Sequence, residues 1–167
     1  PESLSWLWSD VVPERVASPV YPFPSDKKDA VLMKGETMHL DDMEFTVNFI
    51  NPSSQKTFFN PTKEQILIIK EGEVNVTLNS KSKTLPPTSV LVLLPGDKVE
   101  ITGSSAGATY YRMIYTSKDI DMKRGKKAGS EIVNYSEIEY KEHDRGGIRN
   151  YFHRETAMCP YYEMHMT

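Results

Sequence analysis

An all-β sandwich or barrel is the fold class this sequence predicts, on three observations. From Met43 to Tyr115, short runs rich in Val, Ile, Leu, Phe, Tyr and Thr are separated by clusters of Asn, Ser, Gly, Pro and Lys, the punctuation of short strands joined by turns. In VNVTLN, Val74, Val76 and Leu78 fall on one parity and Asn75, Thr77 and Asn79 on the other, so one face of a strand is buried and the other is wet. SVLVLLPGD (89–97) is apolar on both parities and stops at Pro95, Gly96 and Asp97, as a strand covered on both sides and ended by turn chemistry should.

Taken in order, the elements read as follows. Pro13, Pro19, Pro22 and Pro24 make 1–30 an extended arm, because proline fixes φ and removes a backbone donor. Strands are expected over 43–50, 65–70, 73–79, 82–85, 89–94, 98–101 and 108–116, a spacing that suits a sandwich or barrel. In the last of these, Tyr111, Met113 and Tyr115 share one face and Tyr110, Arg112 and Ile114 the other. Alternation leaves open which of the two points inward. Only 117–128, SKDIDMKRGKKA, could hold a turn or two of helix, as a charged surface connection.

Composition narrows the function classes. The 167 residues suit one ordinary domain able to bury its own core. Twenty Lys and Arg against 23 Asp and Glu give a net charge of −3 with the signs interspersed, which argues against nucleic acid and against an anionic membrane as partners. No apolar run approaches the ~20 residues that span a bilayer, so a soluble chain is expected, cytoplasmic or periplasmic. It opens at Pro1 without a methionine, which leaves room for a segment removed upstream. The one cysteine, Cys159, has no basic neighbour to lower its pKa and reads as a small core residue. His39, His143, His153 and His165 are scattered, with no pair at the i, i+2 or i, i+4 spacing that aims two rings at one ion.

An internal echo crosses the chain. WSDV (Trp8 to Val11) is matched by YSEI (Tyr135 to Ile138), 127 residues on. ETMHLDDMEFTVN from Glu36 matches ETAMCPYYEMHMT from Glu155 without a gap, 119 residues on, pairing Glu36 with Glu155, Thr37 with Thr156 and Glu44 with Glu163. Two echoes in the same order imply that a second copy of the domain begins near residue 131 and that its opening strands end the chain.

The stretch EQILIIKEGEVNVTLNSKSKTLPPTSVLVLLPGDKVEI resembles the core of a cupin, and specifically the first half of a bicupin. RGKKAG and IVNYSEIEYKEHDRGGIRNYFHRETAMCPYYEMHMT resemble the joint between the barrels of bacterial bicupins of the cupin-2 type. The resemblance implies a double-stranded β-helix, or jelly-roll barrel, over 31–130, with the extended arm over 1–30. Over 131–167 it implies the joint and the opening strands of an incomplete second repeat. Cupins set three histidines and a glutamate around one divalent metal through the motifs G-x5-H-x-H-x3,4-E-x6-G and G-x5-P-x-G-x2-H-x3-N. Anchored on Gly72, the glutamate position falls at Gln65 and, with the three-residue spacing, the histidine positions fall at Phe59 and Pro61. Anchored on Gly96, the last histidine position falls at Val99. None of these four is a transition-metal ligand, while the turn positions Gly72 and Gly96 remain.

Phe59, Pro61, Gln65 and Val99 are therefore former metal-pocket positions. No catalytic, metal or cofactor-binding residue is expected, and no cofactor. Arg112 is a candidate anion contact inside the barrel. The expectation is a metal-free, non-catalytic barrel with a structural, dimer-forming or small-ligand-binding role. The alternative is the inert half of a longer metal-dependent bicupin, ureidoglycine aminohydrolase-like or acting on another small carboxylate. The apolar strands near the end, GIRNYFHRE and AMCPYYEMHM, would be costly to leave in water. They are expected to add strands to the barrel's sheet or to a neighbour's, giving a homodimer by strand exchange.

Overall fold

The computed structural model describes residues 20–167. Residues 1–19, which hold Pro13, Pro19 and the Trp8–Val11 half of the first echo, lie outside the described residues. The strands are β1 (Ala30–Gly35), β2 (Leu40–Ile50), β3 (Gln55–Phe59), β4 (Glu64–Leu78), β5 (Lys81–Leu85), β6 (Val90–Leu93) and β7 (Lys98–Ser117). After a short helix α1 (Met122–Ala128) come β8 (Glu131–Val133), β9 (Lys141–His143), β10 (Gly146–Arg154) and β11 (Tyr162–Met166). The all-β expectation holds. Asp121 caps α1 by accepting from the Lys123 and Arg124 amides, the usual answer to unsatisfied N–H groups at a helix start.

An eight-stranded antiparallel sheet runs in the order β1-β2-β7-β4-β6-β8, with β3 on β7 and β5 on β4. Its spine is the pair of long strands β4 and β7. Each was expected as two strands, because a glycine inside a run reads as a break. Here the chain continues through the glycine as a bulge. Gly72 has φ +71°, and a Cβ on it would lie 2.2 Å from the Gly107 carbonyl oxygen. The register shifts on both sides of it, so the sheet bends there and curls around a core.

That core holds Leu67, Ile69, Val74, Val76, Leu91 and Leu93, among others. The alternation in β4 is as read: Val74, Val76 and Leu78 are buried, and Asn75 and Thr77 are exposed. Strand β6 is buried on both faces. Leu91 and Leu93 enter the inner core, while Val90, Val92 and Leu94 enter an outer cluster with Ile66, Tyr151 and Phe152.

The outer cluster exists because the end of the chain folds back over the barrel. Strands β9, β10 and β11 form a separate sheet in the order β11-β10-β9, and its Tyr151, Phe152, Tyr162 and Met164 lie against the outer face of β4 and β6. Each large apolar side chain so buried contributes roughly 1.5–3 kcal/mol. The Tyr151 hydroxyl donates to the Thr88 carbonyl at 2.8 Å, and Arg154 donates to Glu131 at 2.5 Å and to the Gly129 carbonyl. These strands thus cover a face of the barrel and do not lengthen its sheet. Of β8 to β11, only β8 adds to that sheet, pairing with β6.

The second echo is structural. In the β1–β2 hairpin Gly35 pairs with Met43, Lys34 with Glu44 and Met33 with Phe45; after an irregularity Val31 pairs with Thr46 and Ala30 with Val47. In the β10–β11 hairpin Arg154 pairs with Tyr162, His153 with Glu163 and Phe152 with Met164; after an irregularity Asn150 pairs with His165 and Arg149 with Met166. Every partner, and the bulge itself, lies 119 residues on. The loops match as well: Thr37 N–H donates to the Leu40 carbonyl at 2.9 Å, and Thr156 N–H to that of Cys159 at 2.8 Å. The Thr37 hydroxyl accepts from the His39 and Leu40 amides, and the Thr156 hydroxyl from the Met158 and Cys159 amides.

Candidate functional site

Register settles which face of β7 looks inward. Gln65, Leu67 and Ile69 of β4 pair with Ile114, Arg112 and Tyr110 of β7. Glu44, Thr46 and Asn48 of β2 pair with the same three residues from the other side. Because Tyr110 and Leu67 lie in the inner core, all of these share the interior face. Met113 and Tyr115 face the outer clusters.

The interior therefore has a polar patch beside an apolar core. Arg112 Nε donates to Gln65 Oε1 at 2.9 Å, and its guanidinium carbon lies 5.1 Å from the centre of the Phe58 ring. Its two Nη groups meet no acceptor among the described residues. Burial pulls the Arg112 pKa below its ordinary value, against the attraction of Tyr110 and Glu44. Glu44 is itself held by Lys34 at 3.1 Å. Asn48 donates to the Thr46 hydroxyl at 2.7 Å, which donates in turn to the Arg112 carbonyl. Tyr110 is fully buried, and its hydroxyl has no partner among the described residues; burial pushes its pKa far up.

Of the four positions that motif spacing picks out, two face the interior. Gln65 and Val99 are fully buried on the interior. Phe59 and Pro61 are not: Phe59 is 56 % exposed, and Pro61 is exposed in the turn that follows β3. The residue facing inward is Phe58, which pairs with Val99. The four-residue spacing, counted from Gln65, falls instead on Phe58 and Asn60. Asn60 is spent on the turn, where its Oδ1 accepts from the Thr62 and Lys63 amides.

These residues do not fit a divalent metal. Phe58 and Val99 carry no donor atom, Gln65 has committed its oxygen to Arg112, and a guanidinium at the site repels a cation. Among the described residues no three of His, Cys, Asp and Glu gather at metal distance. His39, His143, His153 and His165 all lie exposed and apart.

A second polar centre, on the outer side of the barrel, has no counterpart in the sequence reading. Glu64, next to Gln65 but on the opposite face, is fully buried. The Tyr115 hydroxyl donates to its Oε1 at 2.6 Å and the Met158 amide to its Oε2 at 3.2 Å. Burial raises the Glu64 pKa, against the lowering effect of hydrogen bonds from Tyr115, Thr156 and Met158 and of the Arg154 charge. Tyr162 adjoins this group, and burial pushes its pKa up to about 12. Helix α1 braces the same loop: Arg124 Nε donates to the Thr156 carbonyl at 2.7 Å, and the Asp121 amide to that of Ala157 at 2.9 Å. Cys159 is partly buried in this loop.

No family profile matches the chain, and no curated protein matches it. Solved structures do. A cupin 2 conserved barrel domain protein from Salinispora arenicola superposes with a TM-score of 0.50 at 14 % identity, over 59 % of this chain and 89 % of that one. The plu4264 protein of Photorhabdus luminescens gives 0.50 at 7 % identity, over 59 % and 88 %. A Pseudomonas aeruginosa protein described as glyoxylate-induced gives 0.53 at 13 % identity, over 83 % of this chain, which spans 64 % of that one. No helix among the described residues is long and apolar enough to cross a membrane. With its antiparallel strands curled about one core and these neighbours in structure, the chain has the fold of a cupin barrel.

Proposed function

We propose that this chain is a metal-free, non-catalytic cupin barrel that takes a small carboxylate on Arg112 and supports the hairpin packed against its outer face. The carrying observation is the Gln65–Arg112 hydrogen bond at 2.9 Å, at the position where a metal-ligating glutamate would stand. Holding Nε leaves the two Nη groups as a fork, the geometry that receives a carboxylate through two parallel hydrogen bonds. Phe58 beneath the guanidinium restricts its rotation. The test is calorimetric titration with acetate and other short carboxylates, alongside metal analysis of the dialysed protein. Binding to the wild type, at least tenfold weaker binding to Arg112→Met, and no stoichiometric Mn, Fe, Ni, Cu or Zn are expected. Stoichiometric metal ends the metal-free reading; equal carboxylate affinity in the variant ends the Arg112 assignment. Val99→His alone is expected to bind no metal, since Phe58 and Asn60 still supply no second ring.

A second reading is that the chain is the inert half of a longer metal-dependent bicupin enzyme, ureidoglycine aminohydrolase-like or acting on another small carboxylate, whose active barrel lies beyond residue 167. The repeated hairpin favours it, with its identical register and bulge 119 residues on. In its favour too, the likeness to the Pseudomonas aeruginosa protein extends to 83 % of the chain. An H-x-H motif in the natural gene downstream of Thr167 is the expected finding.

A further inference from the structure

The two matching loops have different surroundings. Thr156–Met158 is seated: its Met158 amide reaches the buried Glu64 carboxylate, its Thr156 and Ala157 carbonyls accept from Arg124 and Asp121, and Ala157 lies against Gly125. Thr37–His39 has the same internal hydrogen bonds and is tied to the end of β7, where the His39 carbonyl accepts from the Lys118 amide at 3.1 Å, but among the described residues no buried carboxylate and no helix meets it. Met38, the match of buried Ala157, is 54 % exposed, and the Thr37 and Met38 carbonyls meet no donor among the described residues. The strands differ in the same sense. The edge of β2 away from β1 is paired with β7, whereas the corresponding edge of β11 pairs with no strand among the described residues.

We propose that Thr37–His39 is the docking loop for a second barrel of the same build, one whose outer face presents to it a buried carboxylate as the first barrel presents Glu64 to Met158. The inference rests on the second reading above, and it deepens that reading by naming the surfaces that join the two units. The arrangement is reciprocal: each barrel lends its opening hairpin loop to the outer face of the other, related by an approximate two-fold rotation. The same second barrel supplies the strand that pairs with β11, in the role β7 plays for β2, and so removes an open edge of unpaired amides and carbonyls. A second copy of this chain cannot be the occupant, because its Glu64 is already capped by its own Met158.

The test compares the 167-residue chain with the natural polypeptide isolated from its source. Intact mass comes first, and about twice this length is expected. Amide hydrogen exchange at Met38, His39 and Tyr162–Met166 should then be slowed at least tenfold in the natural chain relative to the 167-residue chain. Met38→Glu should lower the thermal midpoint of the natural chain and leave that of the 167-residue chain unchanged, since Met38 is exposed there. A natural mass equal to 167 residues overturns both the bicupin reading and the docking. A doubled mass with equal exchange and no selective effect of Met38→Glu overturns the docking alone. Protection of Tyr162–Met166 in the 167-residue chain that grows with its concentration would assign that edge to a second copy, and also overturns the proposal.

Discussion

Glu64 and Gln65 are neighbours in the chain and opposites in environment. The side of the strand that Gln65 takes is legible in the sequence, because alternation along the strand puts it on one face with Leu67 and Ile69. The burial of Glu64 is not, because what buries this residue arrives from Met158, 94 residues away, and no local pattern encodes that. Its chemistry makes a pH prediction. The folded-state pKa lies above the ordinary carboxylate value because burial disfavours the charged form. The folded protein therefore holds this proton to higher pH than the unfolded chain does, and the stabilisation is full below the unfolded pKa and lost as pH rises through the folded one. Glu64→Gln mimics the neutral acid and lacks this loss. Urea midpoints from pH 4.5 to 8 should show the variant gaining on the wild type as pH rises, and parallel curves would refute it. Glu64→Ala takes the acceptor from the buried Tyr115 hydroxyl, at about 1–3 kcal/mol, and leaves the Met158 amide its Thr156 hydroxyl alone.

At the scale of elements, the sequence is read well where one physical pattern dominates and poorly where two compete. The alternation of VNVTL and the double parity of VLVL each survive intact, because burial alone sets them. The expected breaks in β4 and β7 fail, because glycine marks a bulge inside a long strand as readily as it marks a turn. Strand β3, QKTFF, is missed since only Phe58 of its five residues is buried, so the sequence does not tell that Phe58 and not Phe59 faces inward. The two glycines of positive φ that the motifs retain should differ in sensitivity. A Cβ on Gly96 meets nothing within 4 Å, so Gly96→Ala should cost only the left-handed strain of about 1–2 kcal/mol. At Gly72 the same strain adds to a clash with the Gly107 carbonyl, and the loss should be clearly larger. Equal denaturant midpoints for the two variants would show that the crossing of β4 and β7 is not tight.

For the whole molecule, the question is whether the last twenty or so residues are cargo or part of the fold. The expectation that apolar terminal strands must find cover is met inside the chain, on the outer face of β4 and β6. What the sequence hid was the cover's direction: hydrophobic strands announce that they will be buried but not whether by edge or by face. Phe152 tests this. It is 8 % exposed between Tyr162 and the outer cluster, and Phe152→Ala should cost about 3–5 kcal/mol through lost transfer energy and the cavity left behind. A hairpin that merely rests on the barrel would peel away instead, leaving the barrel's midpoint unchanged and adding an early transition. One cooperative transition that moves as a unit, followed by near-ultraviolet dichroism and by exchange at β6 amides together, is the outcome expected. Loss of cooperativity would mean that barrel and hairpin are separate folding units, with the barrel able to keep its core when Val90, Val92 and Leu94 meet water.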